Sequence, residues 1–500
     1  MLARINKKIR AIQNWLNIII LISIFWLSWT NFAEASQFSA HQKHILSRLS
    51  FGATSWEIEQ IEKEGVEAYI QSQLEPQTIE ESPELEKYLA SFDLINKDAI
   101  EIQKQLGALR IKRDNSKLPL KQQQKLTQTI KKLNFQAIDE AMNAHLAKAV
   151  YSHRQLQEMM VDFWFNHFNV DTKKGIINLW VNDYENQIRE HALGNFYDLL
   201  LATAKHPAML IYLDNRKNTA PESPVGRKAK MGLNENYARE LMELHTMGVE
   251  GGYSQDDVIT LARILTGWGI DYKGERGSKN GFFFYGNRHD RREKMFLGHK
   301  IAPNGFKEGK QALDILVNHP STARFISYKL AQYFVDDEPP ESLVTKLSKA
   351  FSDSRGDIKV VMDTLIHSQE FSDPQYYDRK FKTPYQYVVS LVRIGEIEQP
   401  NLRRVRGMLH ELSMPLYQCA TPNGYVNTKS AWLNPQAILQ RTSFATAIAN
   451  GRLSDRNTIK IQRVERNLGE ISTSTREIIA QTPRGLRTAL VMGSPEAMYR

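Results

Sequence analysis

The sequence predicts an all-α protein: a multi-helix domain of orthogonal or bundle-like packing, with a long helical hairpin and one small β-hairpin. Apolar residues recur at helical spacing along most of the chain, and strand-like segments are few and short. The chain has 500 residues, of which 42% are hydrophobic and 24% are charged. A globular chain of this length and composition buries a large core without disulfide bonds.

The N-terminal segment, residues 1–35, has the pattern of a secretory leader. A basic stretch, Arg4–Arg10, precedes an apolar run, Trp15–Trp29, and the small residues of Ala33-Glu34-Ala35 offer a cleavage site. The apolar run is shorter than the roughly 20 residues of a membrane-spanning helix. We therefore expect a signal peptide that is cleaved on export to the periplasm, the cell surface or the medium. The alternative is an N-terminal membrane anchor.

Residues 36–500 are predicted to form a single large helical domain. Within it, residues 84–150 form the helical hairpin, which we expect to protrude because its connecting turn is polar. Two aromatic segments, Phe282–Tyr285 and Met295–Leu297, are predicted to pair as the β-hairpin. Two short helices are predicted within 39–75. The other helices follow from apolar periodicity: 155–170, 188–213, 234–247, 254–267, 307–317, 320–334, 341–351, 356–367, 383–396 and 402–412.

Charge and cysteine content exclude several classes of protein. The net charge is +9, and the leader supplies +3 of it (four basic residues less Glu34), so about +6 remains on the mature chain. This dispersed excess does not predict a nucleic-acid binder, which needs a concentrated basic stripe. The single cysteine, Cys419, cannot form an internal disulfide, and we expect it to be buried. The signatures of serine hydrolases, zinc proteases, P-loop proteins and c-type haem proteins are missing, which disfavours those classes and leaves the cofactor unknown.

The predicted helix 155–170 combines an apolar surface with one narrow polar stripe. Glu158, Asp162 and Asn166 recur every four residues and therefore share one face, while His167 points to the apolar side. Buried carboxylates are costly unless they are paired or bind a metal. One interpretation is that this stripe lines a cavity or a metal site.

The alternative interpretation of this helix is structural. In that case Glu158 and Asp162 pair with arginines such as Arg154 or Arg189, and His167 is a hydrogen-bonded core residue. The sequence leaves both interpretations open.

A second polar segment lies in the predicted helix 234–247. Glu243 belongs to a ladder of alternating charges, which is typical of a solvated face, whereas Glu240 falls outside the ladder and His245 points inward. Helical bundles build metal sites from carboxylates and imidazoles on facing helices, so this segment is expected to join the stripe. Because the Glu-x-x-His spacing of di-iron bundles is missing, the metal is left open. The candidate catalytic residues are Asp162, His167, Glu240, Glu243 and His245.

The segment 215–233 interrupts the helical periodicity. It contains two prolines, two glycines and five basic residues, which predicts a mobile basic loop. Loops of this length inside a domain are often functional, here as a contact to an acidic partner. For the aspartate at its start, backbone capping is the alternative. The candidate binding residues are Asp214, Asn215, Arg216, Arg227 and Lys228.

Several motifs together carry a family resemblance over nearly the whole mature chain. They are Leu46–Thr54, Phe163–Val170, His206–Asn215, Leu233–Gly248, Ala262–Trp268, His289-Asp290 with Phe296–Gly298, His319–Phe325 and Ser494–Glu496. Together they resemble a bacterial family known as domain of unknown function 1800 (DUF1800). The resemblance implies an exported or surface-associated α-helical protein. It also implies a gene neighbour from another exported family that is similar to sulfatases and alkaline phosphatases.

Two functions are compatible with these observations. The first is a binding or assembly partner of another exported protein encoded nearby. The alternative is an extracytoplasmic enzyme, hydrolase-like and with or without a metal, that acts on an envelope or extracellular substrate. The sequence favours the first slightly, because it contains no recognised catalytic signature.

Overall fold

Helices provide nearly all of the regular structure. The computed structural model describes residues 39–229, 231–278, 280–454, 459–469 and 471–500. Within these residues the strands form two small two-stranded sheets, so the predicted all-α fold class is confirmed. The predicted leader lies outside the described residues. Among the helices of the described part, none has both the length and the apolar character needed to cross a membrane.

The first half of the chain is helical from its first described residues. Its helices are α1 (Ala40–Leu49), α2 (Ser55–Glu64), α3 (Val66–Leu74), α4 (Pro83–Ala90), α5 (Ala99–Arg113), α6 (Leu120–Tyr151), α7 (Gln155–His167), α8 (Val181–His191), α9 (Phe196–Lys205), α10 (Pro207–Tyr212), α11 (Pro224–Ala229), α12 (Asn236–Glu243) and α13 (Gln255–Ile264). Side chains satisfy the free backbone amides where several of these helices begin. Ser39 and Gln42 form a reciprocal cap on α1, for example.

The second half continues the pattern after the strands. Its helices are α14 (Phe306–Val317), α15 (Pro320–Phe334), α16 (Glu341–Asp353), α17 (Ile358–Ile366), α18 (Gln369–Ser372), α19 (Pro384–Ile394), α20 (Leu402–Glu411), α21 (Lys429–Trp432), α22 (Pro435–Ala449), α23 (Ile461–Leu468), α24 (Thr473–Gln481), α25 (Arg484–Met492) and α26 (Pro495–Met498). Proline opens α15, α19, α22 and α26. At this position its missing N–H costs no hydrogen bond.

The long helical hairpin consists of α5 and α6, which pack against each other. Its first arm begins at Ala99 and not at residue 84, because the Asp98 carboxylate accepts the Ile100 N–H at 2.7 Å and starts a new helix there. The second arm is exposed near the connecting turn, whereas its last ten residues are almost entirely buried. In α6, exposed residues occur from Leu120 to Phe135 and none follows them in the helix.

The predicted pairing of the β-hairpin is wrong. Strand β2 (Phe282–Phe284) pairs with β1 (Trp268–Ile270), and β3 (Lys294–Phe296) pairs with β4 (His299–Ile301), both antiparallel. The turn between β3 and β4 consists of two residues with positive φ, 48° at Leu297 and 77° at Gly298. Two-residue turns of this kind match the twist of antiparallel strands. The short closure therefore replaces the longer connection that was expected.

The segment 215–233 contains regular structure, so the expected structureless loop is wrong in part. It includes a 3₁₀ turn, Asn215–Lys217, and helix α11. The buried Asn218 side chain donates to the Ala262 carbonyl at 2.7 Å and accepts the Asn234 N–H at 3.0 Å. Side-chain amides thus supply the hydrogen bonds that a helix or sheet would give. Mobility of the segment stays a prediction.

Helix α7 is the most deeply buried helix around the candidate residues. Of its residues, only Gln157, Asp162 and Asn166 keep partial exposure. It packs on α3, α6 and α8, as its nearly continuous apolar surface predicts. The polar stripe carries both carboxylates of α7, whereas Gln155, Gln157 and His167 are polar residues outside it.

Candidate functional site

The first residue of the stripe belongs to a buried ion network. Glu158 accepts two hydrogen bonds from Arg189 of α8, both of 2.8 Å. Arg189 also donates to Glu185 at 2.7 Å, and Glu185 in turn contacts His145 at 2.7 Å and the Tyr417 hydroxyl. Burial opposes the charge of Glu185, but His145 and Arg189 outweigh it and hold the pKa of Glu185 well below its usual range. For Glu158, the structural interpretation is therefore the correct one.

Asp162 has a different environment from Glu158. No arginine of the described residues forms an ion pair with it, and its one hydrogen bond comes from the Tyr333 hydroxyl of α15 at 2.8 Å. Burial raises the pKa of Asp162 above its usual value, and the hydrogen bond from Tyr333 offsets this only in part. The carboxyl group is thus biased towards its protonated form.

Asp162 lines a cavity of about 210 Å³ between α7, α15 and the segment 423–428. His167 of α7 and Lys329 of α15 line the same cavity, and the rings of Phe163 and Tyr425 form part of its wall. A dry cavity of about 150 Å³ holds a benzene molecule. The Asp162 cavity therefore has room for a small chemical group or a single ring.

His167 is held as a neutral imidazole. Its Nε2 lies 3.0 Å from the His245 carbonyl and donates to it, while its buried Nδ1 has no partner among the described residues. Burial and the charge of Lys329 push the pKa of His167 well below its usual value. The same two causes lower the pKa of His245 to about 3. Nδ1 of His167 thus keeps an unused lone pair.

Lys329 is a cation without a counter-ion. It forms no ion pair or hydrogen bond with any residue that the structure describes, and its ammonium group lies 5.6 Å from the centre of the Phe325 ring. Burial lowers the pKa of Lys329. An ammonium group in this state interacts strongly with any negative charge that develops beside it.

The segment 423–428 closes the cavity and is fastened to α7 by Asn166. The Asn166 side chain donates to the Tyr425 carbonyl at 2.8 Å and accepts the Tyr425 N–H at 2.7 Å. Gly424, with φ at 71°, lies so close that a Cβ there would sit 2.2 Å from the Asn166 carbonyl oxygen. The third residue of the stripe is therefore an anchor for the cavity wall.

One comparison with known proteins assigns the chain to a family. The family described as "Protein of unknown function (DUF1800)" matches residues 44–499. The chain belongs to the DUF1800 family. The resemblance carried by the sequence motifs is thereby confirmed. No curated protein and no solved structure matches the DUF1800 chain.

Three of the five candidate catalytic residues of the DUF1800 chain do not line the cavity. Glu240 and Glu243 are half-buried on α12 and do not line it. Burial and the neighbouring Glu243 raise the pKa of Glu240. Burial and the negative charges of both glutamates raise the pKa of Tyr253. The expected convergence of this pair with Asp162 is therefore wrong, because α12 presents them to a different part of the surface. His245 does not line the cavity either, and its only contribution is the carbonyl group that accepts the hydrogen bond from His167.

The candidate binding residues of the DUF1800 chain separate into paired and unpaired groups. Asp214, with φ at 59°, accepts from Lys174 at 2.9 Å and forms an ion pair with Lys217 at 3.3 Å. Burial raises the pKa of Asp214, but the two lysines outweigh this effect and hold it below its usual value. Asn215 is fully buried, and its amide group donates to the carbonyls of Leu265 and Trp268. Neither residue is available to a ligand without breaking these contacts.

Of the three basic candidate binding residues, one has a side-chain partner among the described residues and two have none. Arg216 donates to the Tyr272 hydroxyl at 3.1 Å and is half-buried. Arg227 and Lys228 are exposed on α11 and have no ion pair or side-chain hydrogen bond within the described residues. These two side chains of the DUF1800 chain are thus the ones that remain open to a partner.

A metal site has no ready ligand set in the part of the DUF1800 chain that the structure describes. No group of three or more His, Cys, Asp or Glu residues there lies close enough to hold an ion. Sequence reasoning also missed two members of the cavity, Lys329 and Tyr333. A signal for Lys329 was present, since it lies between Tyr328 and Leu330 in the largely apolar second half of the predicted helix 320–334.

Proposed function

We propose that this protein is an exported acid–base enzyme, and that its reaction takes place in the Asp162 cavity. One observation carries the proposal: Asp162, His167 and Lys329 line one cavity, and none of them has a partner of opposite charge among the described residues. Titratable groups with shifted pKa values that converge in a concave site are typical of catalytic centres. Export rests on the leader pattern of residues 1–35.

Each of the three groups has a distinct chemical role in this proposal. Protonated Asp162 donates a proton to the leaving oxygen of a substrate, in the manner of a general acid whose pKa burial has raised. Nδ1 of His167 accepts a hydrogen bond that orients the attacking water, and the proton that the water loses restores the Asp162 carboxyl group. The Lys329 ammonium stabilises the negative charge that develops between them. The reaction class is a hydrolysis, and the size of the cavity limits the reacting group to one small unit.

The test is a substrate screen with matched variants. The full chain is assayed with chromogenic carboxylic esters, phosphodiesters and glycosides, beside Asp162→Asn and Lys329→Met. Loss of a positioned general acid reduces turnover by roughly 10²–10⁴-fold. The controls are Asp353→Asn and Lys349→Met, which neutralise an exposed ion pair outside the cavity and are expected to leave turnover unchanged.

The pH profile provides a second criterion. Because Asp162 acts in its protonated form, activity is expected to fall as the pH rises through its raised pKa. Turnover that persists in a correctly folded Asp162→Asn variant contradicts the proposal. So does the absence of turnover with all three substrate classes.

A second function, a contact to an acidic partner protein, is supported by one observation. Arg227 and Lys228 are exposed on α11 without partners in the described residues. Exposed unpaired cations of this kind steer association with acidic surfaces. Co-purification with the exported protein encoded nearby, and its loss in the double variant Arg227→Glu, Lys228→Glu, is the expected result. Co-purification that survives the charge reversal counts against this function.

A further inference from the structure

A second and larger concavity lies apart from the Asp162 cavity. It is a groove of about 900 Å³ between the start of α2, helix α4, the end of α6 and the segment that follows α19. The two sites share no lining residue, so the proposed reaction makes no use of the groove. Its volume is at the upper end of the range of about 300–1,000 Å³ that ligand sites span. The groove therefore suits a ligand of several rings.

Aromatic side chains provide the apolar surface of the groove. Trp56, Tyr88 and Tyr151 line it while they pack in part against the core. Trp56 stacks on His153 with 4.0 Å between the ring centres and 1° between the planes. Tyr88 and Tyr151 lie 6.3 Å apart. Because these rings are held by their neighbours, they offer a surface that loses little freedom when a ligand binds.

The charged groups of the groove disfavour anionic ligands. Four glutamates and two basic residues are among the described residues that line it, so the groove is mildly acidic. At its base, Arg393 and Glu57 form a buried ion pair with 1% exposure on each side. Glu396 is occupied by the Ser55 N–H at 2.6 Å. Phosphates, sulfates and nucleic acids are therefore repelled rather than attracted.

Polar groups at the rim remain unused. Lys87, Glu398 and Gln399 line the groove and form no ion pair or side-chain hydrogen bond with any described residue. They offer donors as well as acceptors. Lys87 and Glu398 carry opposite charges that balance each other. The rim therefore offers hydrogen-bonding groups without a net charge.

We propose that this groove binds a neutral oligosaccharide. A sugar ring has apolar C–H faces and a periphery of hydroxyl groups, so it matches aromatic surfaces bordered by unpaired donors and acceptors. A lipid chain would leave the rim groups desolvated without partners. A basic peptide can place its cations over the rings, but Arg393, Ser82 and Ser55 already engage three of the four glutamates, so the groove offers it little free negative charge. The sugar is the one class that satisfies both parts of the lining.

The experiment titrates the full chain with three hexasaccharides by calorimetry. These are the β-1,4-linked hexamers of glucose and of N-acetylglucosamine, and an anionic hexamer of a uronic acid. A neutral hexamer is expected to bind, and Trp56→Ala is expected to weaken it about tenfold, which corresponds to one lost stacking contact. Phe135→Ala is the matched control, because Phe135 is an aromatic residue that is 63% exposed outside the groove.

A second pair of variants keeps the test decisive if Trp56→Ala fails to fold. Gln399→Ala and Glu398→Gln change exposed rim groups only and are expected to weaken the same hexamer by about three- to tenfold each. Asp162→Asn is expected to bind it normally, which separates this proposal from the proposed reaction. The proposal is overturned if neither neutral hexamer binds at up to about 10 mM. It is also overturned if Phe135→Ala weakens binding as much as the groove variants, or if the uronic acid hexamer or an oligolysine peptide binds instead.

Discussion

At the residue scale, neighbouring positions of one stripe on α7 meet opposite environments. Glu158 is fully paired, since Arg189 gives it two hydrogen bonds of 2.8 Å. Asp162, one turn further along, has only the Tyr333 hydroxyl. Because a carboxylate in a low-dielectric interior needs a positive partner to stay ionised, the first is structural and the second is biased towards protonation. The chemical difference arises from the partners and not from the carboxylates themselves.

Replacing Arg189 by methionine tests the structural role. The variant leaves Glu158 and Glu185 buried without their shared cation, and removing one partner of a buried network costs about 3–5 kcal/mol. Urea unfolding of Arg189→Met against the native chain measures this loss. Lys349→Met removes a pair in which both side chains are more than 60% exposed, and its cost is expected to stay below about 1 kcal/mol. Similar losses of unfolding free energy in the two variants would contradict a stabilising role of the buried network beyond that of an exposed ion pair.

At the element scale, the Asp162 cavity depends on how one loop is fastened to one helix. The segment 423–428 has little regular structure of its own, and the two hydrogen bonds between Asn166 and Tyr425 hold it against α7. The close approach is possible because position 424 has no side chain. The cavity wall is therefore set by a helix–loop contact.

The substitution Gly424→Ala is expected to move this wall. A Cβ would lie 2.2 Å from the Asn166 carbonyl oxygen, in addition to the cost of positive φ. Gly298→Ala is the matched control: its φ is 77° and no atom lies within 4 Å of the new Cβ, so it carries only the conformational cost of about 1–2 kcal/mol. Amide hydrogen exchange across 423–428 and urea unfolding compare the two. Equal stability losses, with unchanged exchange in Gly424→Ala, would contradict this account.

At the scale of the whole molecule, several buried histidines make the fold sensitive to acid. Burial and the charge of Arg48 lower the pKa of His44 to about 2, and burial and Lys329 lower that of His245 to about 3. His167 is shifted in the same direction. In the unfolded chain these groups bind a proton near pH 6.5, so the unfolded state gains protons first as the pH falls. The stability that the neutral histidines contribute is present above pH 6.5 and is lost below it.

The expected result is a steep fall of the unfolding free energy between about pH 6.5 and 4.5. Each histidine contributes about 1.4 kcal/mol per pH unit, so three contribute about 4. His44→Phe keeps the stacking on Tyr377, at 4.1 Å between ring centres, and removes one titrating group. Urea unfolding across this range is expected to show a slope lower by about one proton, whereas the exposed control His410→Phe is expected to show none of this change. An unchanged slope in His44→Phe would refute the assignment.

The candidate site could be predicted from the sequence in part. The periodicity of Glu158, Asp162 and Asn166 located the stripe, because side chains four residues apart share a helix face whatever the tertiary structure. Tyr333 and Tyr425 could not be found in this way, since they lie 171 and 259 residues from their partners on α7. Glu240 and Glu243 were expected in the site because helical bundles combine carboxylates from facing helices. In the structure, α12 packs so that neither side chain lines the cavity.

The sequence by itself determined the all-α class, most helices and the polar stripe, because these depend on residues that are close along the chain. Strand pairing, ion pairing and the cavity were decided by the tertiary structure. The strand β2 was recognised, for example, but it pairs with β1, which precedes it, and not with the segment Met295–Leu297 that was expected. Likewise the charge state of Asp162 follows from burial and from one hydroxyl of α15. The environment of Asp162 requires segments far apart in sequence to meet, and local periodicity contains no information about which segments those are.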